Sequence, residues 1–156
     1  MTKSARLALA ACFLFPVAGR VPAGEGEGGW SKEELKRFRG TWVFVSREAE
    51  GKRAPARELK GLTITFERDK FTVKQGDEVV QAGTQTLHPG AGKGPKRVDA
   101  TVTEGEGKGT TMLGIYEFKG DTLRACFDPT GKKRPAELKS PEGSGYFLVL
   151  VKRAKK

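Results

Sequence analysis

The 156-residue chain has no asparagine, one histidine, two cysteines and no apolar run longer than nine residues. Each shortage removes a class of answer. Without asparagine there is no N-x-[ST] acceptor for a glycan. With His88 as the sole imidazole and no CxxC pair, the familiar Cys/His zinc sites are out, and neither a metal nor a cofactor is expected. The cysteines are Cys12 and Cys126. If Cys12 leaves with the N-terminal segment, Cys126 has no internal partner. The fold must then stand on its core rather than on a disulfide. The longest apolar run, Leu7 to Phe15, is too short for a bilayer-spanning helix.

What is present begins with an export signal. Lys3 and Arg6 form a positive n-region, Leu7 to Phe15 an apolar h-region, and Pro16 ends it. Val21-Pro22-Ala23 supplies small residues at the −3 and −1 positions, so cleavage is expected after Ala23, with Gly19 as a second option. A buried N-terminal helix is the competing reading, and the order of charge, apolar run and small-residue site favours export. Leu9-Ala10-Ala11-Cys12 also resembles a lipobox. Only five apolar residues precede Cys12, and Phe13-Leu14-Phe15 follow it where a polar tether is usual, so a lipoprotein anchored through Cys12 is the minor alternative. The expected compartment is extracytoplasmic, periplasmic or secreted.

The formal charge is +10, and segment 1–23 holds Lys3, Arg6 and Arg20 with no acid, which leaves +7 on residues 24–156. Outside the cytoplasm this surplus favours anionic envelope polymer, lipid headgroups or acidic ligands over nucleic acid. Acids and bases are interspersed almost everywhere, so simple solubility accounts for the charge equally well. Nothing marks a subunit interface, and a monomer is expected.

Residues 24–30 open with Gly-Glu-Gly-Glu-Gly-Gly and read as a flexible linker. Domain 31–153 follows. Ser31 and Glu34 have capping-box spacing, Trp30 and Leu35 that of a hydrophobic staple. A helix is expected over Lys32 to Phe38, within 31–39, with Gly40 at the left-handed stop. The apolar period then changes from 3.6 to 2. Strands are expected over Thr41–Glu48, around Leu62-Ile64-Phe66 and around Phe71-Val73. Others follow over Glu78–Leu87, Lys96–Thr103, Met112–Phe118, Thr122–Phe127 and Tyr146–Lys152. Residues 49–61, 88–95 and 128–145 lack strand character; the last carries Lys132-Lys133-Arg134. Regularly spaced short strands suit a meander, and eight can close a barrel wide enough for one small ligand. The fold class expected is all-β: an eight-stranded antiparallel up-and-down barrel with one short N-terminal helix.

The segments that carry a family resemblance begin with Gly40-Thr41-Trp42, Glu58-Leu59-Lys60-Gly61-Leu62, Phe66 with Lys70-Phe71-Thr72-Val73, Gly83-Thr84, and Pro95-Lys96 with Asp99. They continue with Gly114-Ile115-Tyr116-Glu117, Gly120-Asp121-Thr122-Leu123, Cys126-Phe127, Gly131-Lys132 with Arg134-Pro135, and Gly143-Ser144-Gly145. In order and spacing they resemble an uncharacterised lipocalin-like domain family abundant in planctomycete bacteria. That resemblance implies a fold and a compartment but no chemistry. More widely, G-x-W is similar to the lipocalin motif, in which the Trp closes the barrel base under a basic residue from the last strand. Here the resemblance implies Gly40 and Trp42 with Lys152 or Arg153, a contact worth ~0.5–2 kcal/mol. Two positions depart from the nearer family: Gln85 stands where an aromatic is common, which puts a polar group inside the barrel, and His88 where an acid is common.

No residue set points to catalysis, and the chain reads as a non-enzyme. His88 precedes Pro89 and reads as a solvated loop residue rather than a triad member. Cys126 reads as a small buried hydrophobe ahead of a reactive thiol. The glycine clusters at 90–94 and 105–110 lack the P-loop spacing and a following helix, and so read as hairpin loops. Asp99 and Glu104 are indistinguishable from surface acids. If the barrel binds, Trp42, Tyr116 and Cys126 are its candidate wall, with Arg134 closing over an anionic group from a mouth formed by 128–145. For the aromatics, plain core packing is the competing role; for Arg134, a solvated loop position. Two functions stay open. One is a carrier of a small apolar or amphipathic molecule. The other is an envelope-surface module that binds anionic polymer or a partner protein through the basic loop.

Overall fold

The computed structural model describes residues 32–88 and 94–156. The export signal, Cys12, the linker, Ser31 of the capping box and the loop residues 89–93 lie outside the described residues.

Helix α1 (Lys32–Phe38) starts with Glu33 and Glu34 and ends with Lys36 and Arg37, charges that complement its dipole. Seven residues are too few to hold a helix alone, so Phe38, 3% exposed, anchors it in the core. Strand β1 (Gly40–Ala49) follows. The connection expected to be irregular contains a two-residue strand, β2 (Lys52–Arg53), and a one-turn helix, α2 (Ala56–Leu59). Both are corrections to the sequence reading. β2 is a flap on β1, and α2 forms because its buried Leu59 packs down.

The remaining strands are β3 (Leu62–Glu67), β4 (Lys70–Gln75), β5 (Glu78–His88), β6 (Lys96–Gly105), β7 (Thr111–Lys119), β8 (Thr122–Asp128) and β9 (Phe147–Arg153). Apart from β2, each pairs antiparallel with its chain neighbour, and β9 returns to β1 with Phe44 opposite Val151 and Ala49 opposite Phe147. That last pairing closes an eight-stranded barrel of lipocalin-like type, in which each of the eight strands has a neighbour on both sides. Register shifts at Phe44/Ser46, Val73/Lys74 and Ala82/Gly83 are bulges, which bend strands as a closed sheet requires.

Alternation sets the core. Ile64 and Phe66, Phe71 and Val73, Val98, Ala100 and Val102, Leu123 and Ala125, and Val149 and Val151 all belong to the central cluster or pack against it. Each large side chain so buried contributes about 1.5–3 kcal/mol. Gly114 also faces inward, because a Cβ there would lie 2.3 Å from the Phe127 ring. The absent side chain lets that ring lie against β7. α1 closes the end of the barrel where β1 begins and β9 finishes. At the other end lie the long connections 50–61 and 129–146.

Candidate functional site: the barrel cavity

At the closed end, three aromatic rings meet Phe38 edge-on: Phe66 at 5.1 Å, Tyr116 at 5.0 Å and Phe118 at 4.9 Å. Edge-to-face pairs add about 0.5–1.5 kcal/mol each beyond area burial. Trp42 is wholly buried, and its Nε1 donates to the Phe38 carbonyl at 2.8 Å. Arg153 covers the indole, 4.3 Å from the ring centroid, and donates to the carbonyls of Arg37 and Arg39. Arg153 rather than exposed Lys152 therefore takes the basic position over the ring. Gly40, at φ +118°, passes directly beneath it, with Arg153 Nη1 3.3 Å from where a Cβ would sit.

Glu34 ties the plug to the wall. Its Oε1 accepts from the Tyr116 hydroxyl at 3.0 Å and its Oε2 from Lys96 Nζ at 2.7 Å. Burial first, then the negative field and hydrogen bond of Glu34, push the Tyr116 phenol far above its ordinary range. Tyr116 thus offers the interior its ring and not its hydroxyl.

Above this floor the side chains do not meet. They leave a cavity of about 430 Å³, within the range of small-molecule sites. Phe38, Phe66 and Tyr116 form its base; Ile64, Phe71, Val102, Met112, Val149 and Val151 stand in its wall. Charge appears at the rim, where Arg47, Glu50 and Glu106 join Tyr146. Arg47 lies 5.7 Å from the centre of the Phe147 ring, which in turn stacks on Phe127 at 5.5 Å. One polar side chain stands lower in the cavity. Gln85 is 5% exposed, and its backbone N–H donates to the carbonyl of Asp69 in the β3–β4 turn, at the closed end. Its Nε2 is buried with no hydrogen-bond partner among the described residues.

Of the four residues expected to line a site, the structure places Tyr116 there. The other three lie elsewhere. Trp42 sits beneath the floor, inside the plug. Cys126 has the opposite parity to Ala125 and Phe127 and faces outward; its Sγ–H donates to the Lys139 carbonyl at 3.2 Å. Burial raises the Cys126 thiol above its ordinary range, against a smaller lowering by that bond, which disfavours the reactive thiolate. Arg134 does not close the mouth. Segment 128–145 starts and ends there, with Pro129 and Gly145 on the rim, but its middle runs over the outer wall. Arg134 donates to the carbonyls of Val98 and Gly114 and forms a 2.6 Å ion pair with Asp99. The basic triplet is accordingly reduced to exposed Lys132 and Lys133.

Asp128 nucleates the turn that sends the segment outward. Its carboxylate accepts from the Thr130 hydroxyl and from the amides of Thr130, Lys132 and Lys133. Burial alone would raise this carboxyl; the four donors outweigh it and hold it below its usual value. His88 is a correction too. It ends β5 opposite Arg97, and its Nε2 lies 2.7 Å from Asp99 Oδ2. Among the described residues no Ser, Thr or Cys side chain bonds to it, and no three His, Cys, Asp or Glu side chains converge as metal ligands would. Glu104 is exposed and apart from this pair.

Family models, curated proteins and solved structures were each compared with the chain, and none matches it.

Proposed function

We propose that the chain is an exported, non-catalytic carrier of one small apolar or amphipathic molecule, related to the lipocalin-like family that its motifs resemble. The observation that carries this reading is the cavity. A natural core packs to crystal-like density with few voids larger than a water molecule. Here about 430 Å³ stays open between apolar walls. Evolution of a stable barrel alone favours filling such a space, because its lining forfeits contacts. The plug beneath it is densely packed, so the opening is not general looseness.

Native mass spectrometry after mild purification tests the reading. The expected result is an adduct, removed by organic extraction and restored by adding the extract back. A protein with no adduct that also fails to bind an environment-sensitive apolar dye such as N-phenyl-1-naphthylamine overturns it. The surface-module alternative rested on Lys132, Lys133 and Arg134. With Arg134 engaged by Asp99, it has less to stand on. It requires binding that falls steeply with salt, whereas an apolar cargo is held almost independently of salt.

A further inference from the structure

We infer that the molecule carried has a neutral hydrogen-bond acceptor at its buried end, a carbonyl, ether or hydroxyl oxygen, that takes the Gln85 Nε2–H. This rests on the carrier reading and specifies its cargo.

Gln85 is 95% buried and lines the cavity, and its amide nitrogen has no partner among the described residues. Its neighbours on the same strand face are Gly83 and Leu87, and Ala100 stands opposite on β6. None carries a side chain able to accept from it. Native proteins seldom leave a buried donor unpaired, and such an orphan calls for an explanation. A hydrophobic residue would fill the position without that penalty. A polar residue at such a position is what selection for a ligand oxygen would leave.

The acceptor is neutral because of where the amide stands. Arg47, the cation among the lining residues, belongs to the rim, whereas Gln85 lies level with the β3–β4 turn at the closed end. A carboxylate beside Gln85 would be taken into apolar surroundings with one amide for compensation, which is far too little for a charge. An acid group on the same molecule fits instead at the rim, near Arg47. The cargo therefore enters acceptor first, with its apolar body against the wall and any charge left at the mouth.

A matched pair of probes, butylbenzene and butyrophenone, separates this from the general carrier reading. They share a skeleton and differ by a carbonyl in place of one methylene. Affinities are measured by calorimetric or NMR titration on the purified protein and on Gln85→Leu and Gln85→Met. The ketone-to-hydrocarbon affinity ratio of the native protein is expected to be roughly 10-fold above that of either variant, the scale of one buried hydrogen bond. In both variants the carbonyl has no donor, so the ratio is expected to fall in favour of butylbenzene, while butylbenzene binding itself persists, which also shows that the cavity still forms. The same ketone-to-hydrocarbon affinity ratio in the native protein and both variants overturns the inference and leaves the carrier reading standing; it would mean that a trapped water satisfies Gln85. Failure of the native protein to bind either probe overturns both readings.

Discussion

The plug and the cavity above it are built from similar residues, aromatic and branched aliphatic, yet only one of them is solid. In the plug the buried side-chain polar atoms of the described residues have partners. Trp42 Nε1 has a carbonyl, the Tyr116 hydroxyl has Glu34, and Arg153 has two carbonyls and the indole face. In the cavity Gln85 Nε2 stands unpaired, and Gly83 and Ala100 occupy inward positions near it. Hydrophobic composition alone therefore does not decide whether a barrel is filled. What decides it is whether the interior polar groups are paired within the chain or left for something else.

If the plug is the stability centre, damage there should cost most. Trp42→Ala is expected to destabilise by about 3–5 kcal/mol, the usual cost of truncating a buried aromatic. Trp42→Phe keeps most of the ring but loses the bond to Phe38 and weakens the Arg153 contact, for about 1–3 kcal/mol. Urea midpoints report both. A Trp42→Phe protein as stable as the parent would remove the distinction between the two regions.

Asp128 comes next, because it shapes the outer wall through four donors. Asp128→Ala strands several of them, at about 1.5–3 kcal/mol. The pH dependence has a definite sign. The folded carboxyl titrates below its unfolded value of about 3.9, so the unfolded state binds the proton first. Its stabilisation is complete above the unfolded value and is lost as pH falls through the lower folded one. Urea midpoints from pH 6 to pH 2 should show an acid limb that shrinks in Asp128→Asn. An identical limb in that variant would assign the acid sensitivity elsewhere.

Arg134 ranks third. Its pair with Asp99 is partly exposed, with each side chain about a quarter accessible, so screening trims its worth. Arg134→Ala is expected to cost about 1 kcal/mol, and Arg134→Lys to recover little, since a point charge cannot serve two carbonyls and a carboxylate together. Probe affinity in the cavity should not move. If it did, the outer wall and the interior would be one cooperative unit rather than two regions.

What could be read from the residues follows the same division. Most strands were legible because apolar and polar positions alternate, as in Leu62 to Glu67, the last because it is apolar on both faces, and α1 because its acids and bases sit at the proper ends. Gln85 was visible through the family resemblance alone, as a departure from a position where an aromatic is common. β2 and α2 were not, because tertiary contacts hold them: the Gly51 amide bonds to the Ser140 carbonyl and the Ala54 amide to Arg47. The outward course of 128–145 left a trace in Asp128-Pro129-Thr130-Gly131, a sequence suited to an Asx turn. The outward face of Cys126 was readable from strand parity, since Ala125 and Phe127 on either side face in. The position of Trp42 below the cavity rather than beside it was not, because a void is what remains after every side chain is placed, and no single residue encodes it.

The smallest effect on stability should come from filling that void. Ala125 is 6% exposed and lines the cavity, opposite Tyr116 on β7 and Val149 on β9. In a tightly packed core, Ala→Leu forces neighbours aside and typically costs about 1–3 kcal/mol. Where open space already exists, the added methyl groups gain contacts instead, and Ala125→Leu is expected to stay within about 1 kcal/mol of the parent. Butylbenzene affinity should fall at least 10-fold in the same protein, because probe and side chain compete for one volume. The paired measurement discriminates sharply. A cost near 3 kcal/mol with binding intact would mean that the barrel is packed at Ala125 and that the cargo lies elsewhere. Near-native stability with lost binding would show a space kept open at no structural benefit to the fold, which a carrier needs and a mere scaffold does not.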